Sequence, residues 1–183
     1  MKSFSQETFL LITACIAHLT TILPSSLPAV FSSSIITCLL AHPAIYSSSS
    51  SYILDQLVTI IINMAKLPIA RVQMVQAKVV QFLLRILTKE SRGNGEMPSV
   101  SISVESKAAL ALARLSEDIS TAAMMSRLGC VEVLLEIVRD TPAVGNAGLA
   151  VAARIASKTI ISQCERGVSD VGDAGEGPFE SFV

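Results

Sequence analysis

The sequence predicts an all-α fold: an open, right-handed solenoid of about three to four stacked helical units, followed by a disordered C-terminal tail. Three observations predict it. First, a short motif recurs: IAHLT at 16–20, MAKLP at 64–68, LARLS at 112–116 and AARIA at 152–156. Each holds Ala, then a basic or imidazole residue, then Leu or Ile. The alanines Ala17, Ala65, Ala113 and Ala153 stand 48, 48 and 40 residues apart, the signature of a repeat architecture. Second, another motif follows the first three: IITCLL at 35–40, VVQFLL at 79–84 and CVEVLL at 130–135. In each, a branched residue (Ile36, Val80, Val131) precedes a Leu-Leu pair by three. That i, i+3, i+4 spacing is one face of a helix. Third, hydrophobic residues make up 51% but aromatics only 4%, with no Trp, so the core is aliphatic. Each unit then contains two amphipathic helices, and only stacking buries their apolar faces.

The first unit spans about 4–45. From Thr8 to Leu54 it has no Asp, Glu, Lys or Arg. Residues 1–23 have signal-peptide features, with Lys2 before the apolar run Phe9 to Ala17. Glu7 sits just ahead of that run, and His18 and Pro24 interrupt it short of a membrane span. A first repeat is therefore the preferred reading, and a secreted or membrane-tethered chain the alternative. Pro24 and Pro28 separate the two helices of this unit, and a Ser run at 47–51 ends it. The second unit covers 52–90, with Pro68 after its first helix. Residues 91–103, which include SRGNGEMPSVS, read as a flexible loop. The third unit, 104–140, closes at Asp140-Thr141-Pro142. Gly145-Asn146 opens the last helix, expected to run to about Arg166. The tail 167–183, GVSDVGDAGEGPFESFV, is too poor in apolar residues to bury a core.

Catalytic and metal chemistry finds little support. The formal net charge is −1, with no field of one sign suited to nucleic acid or an anionic membrane. Cys15, Cys38, Cys130 and Cys164 form no CxxC pair and read as free core thiols in a reducing compartment. His18 follows Cys15 by one helical turn, a conceivable nucleophile pair. Its repeat position, however, is filled elsewhere by Lys66, Arg114 and Arg154. Those residues read as cations near helix C-termini, where the macrodipole favours them, with a second binding surface as the alternative. No HExxH, GxSxG, phosphate loop or Cys/His metal spacing occurs. Glu117-Asp118 reads as a solvated turn. The expectation is a non-enzyme without metal or cofactor.

Partner binding is the better expectation. The second helix of each unit would line a concave surface. In the second unit Gln81 and Arg85 share a face at i, i+4, and in the third Glu132 and Glu136 do. Aligned on the Leu-Leu pairs, Gln81 matches Glu132 and Arg85 matches Glu136. A basic step beside an acidic one suits an extended peptide; a merely solvated face is the plainer alternative.

ESKAALALARLSEDISTAAMMSRLGCVEVLLEIVRD, 105–140, resembles an armadillo repeat: a small-residue helix ending in Leu-Ser, a short link, then a Gly-apolar-x-x-Leu-Leu helix. The resemblance covers about 4–166, and HEAT repeats are a near competitor, so the expected fold is an armadillo/HEAT-like right-handed α-solenoid. A degenerate array running into a short acidic Gly tail ending ESFV resembles the C-terminal region of the Inscuteable family of polarity adaptors. That resemblance implies a cytoplasmic protein at the cell cortex. It would link the Par complex, through a PDZ-domain polarity scaffold, to spindle-orienting machinery in asymmetric cell division. Membrane association would come only through partners. The family segment that binds a tetratricopeptide protein has no counterpart in these residues.

The last four residues, Glu180, Ser181, Phe182 and Val183, fit the Ser/Thr-x-apolar terminus that PDZ domains capture. Such a tail adds as a strand to a sheet edge. Val183 would fill an apolar pocket, Ser181 would donate one specifying hydrogen bond, and Glu180 and Phe182 would face outward. Packing of Phe179 and Phe182 back on the last repeat is the alternative.

Overall fold

A computed structural model of the chain describes residues 5–32, 34–46, 51–88, 101–140 and 147–173. Among these the fold is all-α, with no strand. The helices are α1 (Gln6–Ile22), α2 (Leu27–Ser32), α3 (Ile35–Leu40), α4 (Ser51–Met64), α5 (Pro68–Gln76), α6 (Val79–Leu87), α7 (Ile102–Leu115), α8 (Ile119–Arg127), α9 (Cys130–Asp140) and α10 (Ala147–Asp173). Short 3₁₀ turns at Pro24–Ser26 and Pro43–Tyr46 flank α2 and α3.

The recurring alanines mark the main packing line. Helices α1, α4, α7 and α10 pack in series, each on the next. Ala17, Ala65, Ala113 and Ala153 are all buried. A methyl side chain lets neighbouring helices approach closely where a longer one would hold them apart, which explains a small residue kept at one register. The Leu-Leu motifs supply a second row, α3, α6 and α9. Leu39, Leu83 and Leu134 are buried, while Leu40 and Leu84 are half-buried and Leu135 is 44% exposed. The second leucine therefore sits at the edge of the face rather than within it.

Three expectations about helix number and bounds need correction. All three units hold three helices, not two, because α2, α5 and α8 fold within the expected links. Pro68 at the first position of α5 suits a helix start, where its missing N–H is no loss. The expected loop 91–103 ends earlier, since Ser101 caps α7 by accepting a hydrogen bond from the Val104 amide at 3.4 Å. The last helix runs past Arg166 to Asp173, into the segment expected to be disordered.

One feature of the backbone repeats without repeating in sequence. The residue before each helix of the second row is left-handed: Ser34 at φ 54°, Lys78 at φ 62° and Gly129 at φ 76°. Each stands five residues before the buried leucine, Leu39, Leu83 or Leu134. The chain reverses at this point to aim the apolar face of α3, α6 or α9 at the core.

Two buried threonines on α1 donate their hydroxyl protons to carbonyls one turn back on the same helix. Thr13 Oγ1 donates to the Leu10 carbonyl at 2.9 Å, and Thr20 Oγ1 to the Ile16 carbonyl at 2.9 Å. No single described helix is long and apolar enough to cross a membrane. α1 passes that test only together with Pro24–Phe31, across a bend of 115°.

A cleft across the helix series

Three polar staples join successive units. Between α1 and α4, Asn63 Nδ2 donates to Thr21 Oγ1 at 3.0 Å and Thr20 Oγ1 at 3.3 Å. Its Oδ1 accepts from Lys66 Nζ at 2.9 Å, so the buried amide is satisfied at both ends. Between α4 and α7, Lys107 Nζ pairs with Asp55 Oδ1 at 2.6 Å and donates to Thr59 Oγ1 at 3.3 Å. The third staple is Arg71 on α5. Its guanidinium donates to the Ala65 carbonyl at 2.7 Å and to Asp118 at 3.2 Å, and it is ion-paired with Glu117. Glu117 and Asp118 thus stand in a partly exposed turn, as expected, and also hold a largely buried arginine. Gln163 on α10 adds a hydrogen bond to the Glu117 carbonyl at 3.0 Å.

The outward faces of α1, α4 and α7 enclose an open cleft of about 580 Å³. Cys15, His18 and Thr21 line it from α1, Asp55 and Thr59 from α4, and Lys107 from α7. Helical spacing brings these together: 14, 18 and 21 share one face of α1, and 55, 59, 62 and 66 share one face of the α4 segment. The same register on α7 carries Ser103, Lys107, Leu110 and Arg114, and on α10 Val151, Arg154 and Lys158. All of these are exposed or half-buried.

The residues expected to form a peptide groove lie elsewhere. Gln81 and Arg85 are exposed on α6, and Glu132 and Glu136 are exposed on α9, in the second helix row. α6 and α9 touch each other, and each pair shares a face as expected. None of the four lines the cleft. The tail residues Glu180, Ser181, Phe182 and Val183 lie outside the described residues.

The row His18, Lys66, Arg114 and Arg154 divides. Arg114 is in the last turn of α7 and Lys66 just beyond α4, as a macrodipole reading requires. Arg154 is in the first half of α10, far from its end at Asp173, so that reading fails for it.

The thiols also differ from expectation. Cys15 and Cys38 are exposed and Cys164 is half-buried; only Cys130 is a core thiol. Burial, with the Glu132 carboxylate as the smaller cause, pushes the Cys130 thiol up to about 12. That makes it a poor nucleophile. Cys15 and His18 both face the cleft, but no hydrogen bond joins them among the described residues.

Comparison with known proteins places this architecture. The family model described as "Protein inscuteable C-terminal" matches residues 1–173. The human protein named "Protein inscuteable homolog" is 34% identical over 122 residues, covering 65% of this chain and 21% of the relative. The mouse protein of the same name is 33% identical over 122 residues, with the same coverage. The chain thus spans about a fifth of the length of these relatives. No solved structure matches. The match over the whole described helical array, from α1 through α10, shows that this chain belongs to the Inscuteable C-terminal family.

Proposed function

We propose that the chain is a non-catalytic adaptor: an armadillo-like solenoid that holds one partner on its helix series and a PDZ-domain polarity scaffold on its C-terminal tail. The observation that carries this reading is the series α1, α4, α7 and α10. Four helices pack in series, each with exposed or half-buried residues at matching sequence positions, and a cleft runs across three of them. A face of that kind offers a long, shallow surface suited to an extended peptide. Family membership supports a polarity role, in which the adaptor joins the Par complex to spindle-orienting machinery at the cell cortex. In this reading Val183 fills the PDZ pocket and Ser181 supplies the specifying hydrogen bond, with Glu180 and Phe182 tuning partner choice.

The test is binding of the peptide from Gly172 to Val183 to a panel of PDZ domains, beside the same peptide carrying Val183→Asp. Micromolar binding abolished by the substitution supports the hook. No binding to any domain removes the tail from the mechanism.

A second reading places the peptide on α6 and α9 instead. It is favoured by the exposure of Gln81, Arg85, Glu132 and Glu136 on touching helices. Loss of a partner on Arg85→Glu, with no loss on Arg154→Glu, would select it.

A further inference from the structure

We infer that the outward face of α1, α4, α7 and α10 binds an extended acidic peptide whose carboxylates recur every third residue. This rests on the adaptor reading above and adds the chemistry of the ligand. The carrying observation is a row of three basic side chains and one imidazole. His18, Arg114 and Arg154 on α1, α7 and α10, and Lys66 just beyond α4, occupy one repeat position of four helices packed in series. His18, Lys66 and Arg154 are exposed and Arg114 is half-buried. Among the described residues, no ion pair is made by His18, Arg114 or Arg154. Lys66 gives one of its three donors to Asn63 and keeps the others for a ligand. Lys158, one turn beyond Arg154, extends the row and is exposed.

The acids nearby are already committed. Asp55 is bound by Lys107, and Glu117 and Asp118 hold Arg71. Glu7 sits on the first turn of α1, at the far end of that helix from His18. The face therefore carries net positive charge, although the chain as a whole does not. Placing uncompensated cations in register on a protein near neutrality favours a ligand of opposite sign at that face.

Geometry bounds the spacing of that ligand. Packed helices lie about 8–10 Å apart, which sets the least interval between cations on successive helices. A polyproline-type chain rises about 3.1 Å per residue with three residues per turn, so every third side chain points the same way about 9 Å further on. Carboxylates at i, i+3 and i+6 then meet three successive helices. A contiguous acidic run would meet only one or two. Nucleic acid is the competing polyanion, and the overall charge of −1 argues against it.

The experiment uses the full chain and two fluorescein-labelled peptides of identical composition. One is four Glu-Pro-Ala triplets; the other has the four glutamates contiguous. The triplet peptide is expected to bind several-fold tighter in low salt. Arg114→Glu or Arg154→Glu should each weaken it by about tenfold, and Arg154→Gln by less. Circular dichroism checks that the variants keep their helix, and exposed Arg154 is the safer site. Equal binding of the two peptides, no effect of the reversals, or displacement by a single-stranded oligonucleotide at equal concentration would each overturn the inference. PDZ capture of the tail is a separate measurement. Its survival alongside a failed peptide titration removes the acidic ligand and leaves the adaptor.

Discussion

Lys78 is the most informative single residue for the repeat geometry. It holds φ 62° in a position that its counterpart fills with Gly129 at φ 76°. A side chain with a Cβ costs about 1–2 kcal/mol in the left-handed region. Glycine there removes that cost but adds about 0.5–1 kcal/mol of unfolded-state entropy. Lys78→Gly should therefore stabilise the fold by about 0.5–1 kcal/mol. The Lys78 side chain is exposed, so little packing is lost with it. The converse change, Gly129→Ala, should cost about 1 kcal/mol. That cost is conformational, since an added Cβ meets nothing nearer than Glu132 Oε2 at 3.8 Å. Urea unfolding followed by circular dichroism reads both. The midpoint should move by a few tenths molar in opposite directions, with the slope unchanged. Lys78→Ala, which keeps the Cβ, should leave it nearly still. A fall in midpoint for Lys78→Gly, or none for Gly129→Ala, would refute the reasoning that these positions are equivalent turns.

Other outcomes follow from the same structure. Leu83→Ala and Leu134→Ala, both at fully buried leucines, should each destabilise by about 2–5 kcal/mol in the same unfolding assay. Leu135→Ala, at an exposed position, should be close to neutral. Arg71→Met should cost about 1–2 kcal/mol, because it strands the Ala65 carbonyl and leaves Asp118 without its partner; the half-exposed Glu117 adds little. Cys15 and Cys38 should react with a thiol reagent in the native state at pH 8, and Cys130 only on unfolding. Because folding raises the Cys130 thiol from 9.0 to about 12, its contribution to stability is complete below pH 9 and is lost as pH rises toward 12. Cys130→Ala should lessen that alkaline loss.

The parts of the fold legible in the sequence are those set by packing along one helix face. A small residue at a crossing point leaves a mark at Ala17, Ala65, Ala113 and Ala153, and a buried leucine leaves one at Leu39, Leu83 and Leu134. The middle helices α5 and α8 were not legible. Each is one nine-residue helix with only three buried residues, too short and too weakly patterned to stand apart from a link. The left-handed turn shows itself in sequence only at Gly129, since Ser34 and Lys78, which stand between helices of one unit, are not residue types that mark a positive φ. The polar staples pair residues 42 to 52 positions apart, as in Asn63 with Thr21 and Lys107 with Asp55, and no local period encodes such pairs. The exposed cysteines are a lesson of the same kind. Apolar neighbours in sequence do not say which side of a helix a thiol occupies. Two-helix units point to a binding surface on α6 and α9, whereas the open cleft runs across α1, α4 and α7.

An adaptor must hold two ligands at once. The most direct measurement is therefore calorimetric titration of a tail-binding PDZ domain into the full chain, free and then saturated with the Glu-Pro-Ala peptide. Equal affinity in both titrations, together with a ternary complex of the summed mass, is the expected result. Loss of PDZ binding in the presence of the peptide would mean that tail and face serve one site. The chain would then not be an adaptor of the kind proposed.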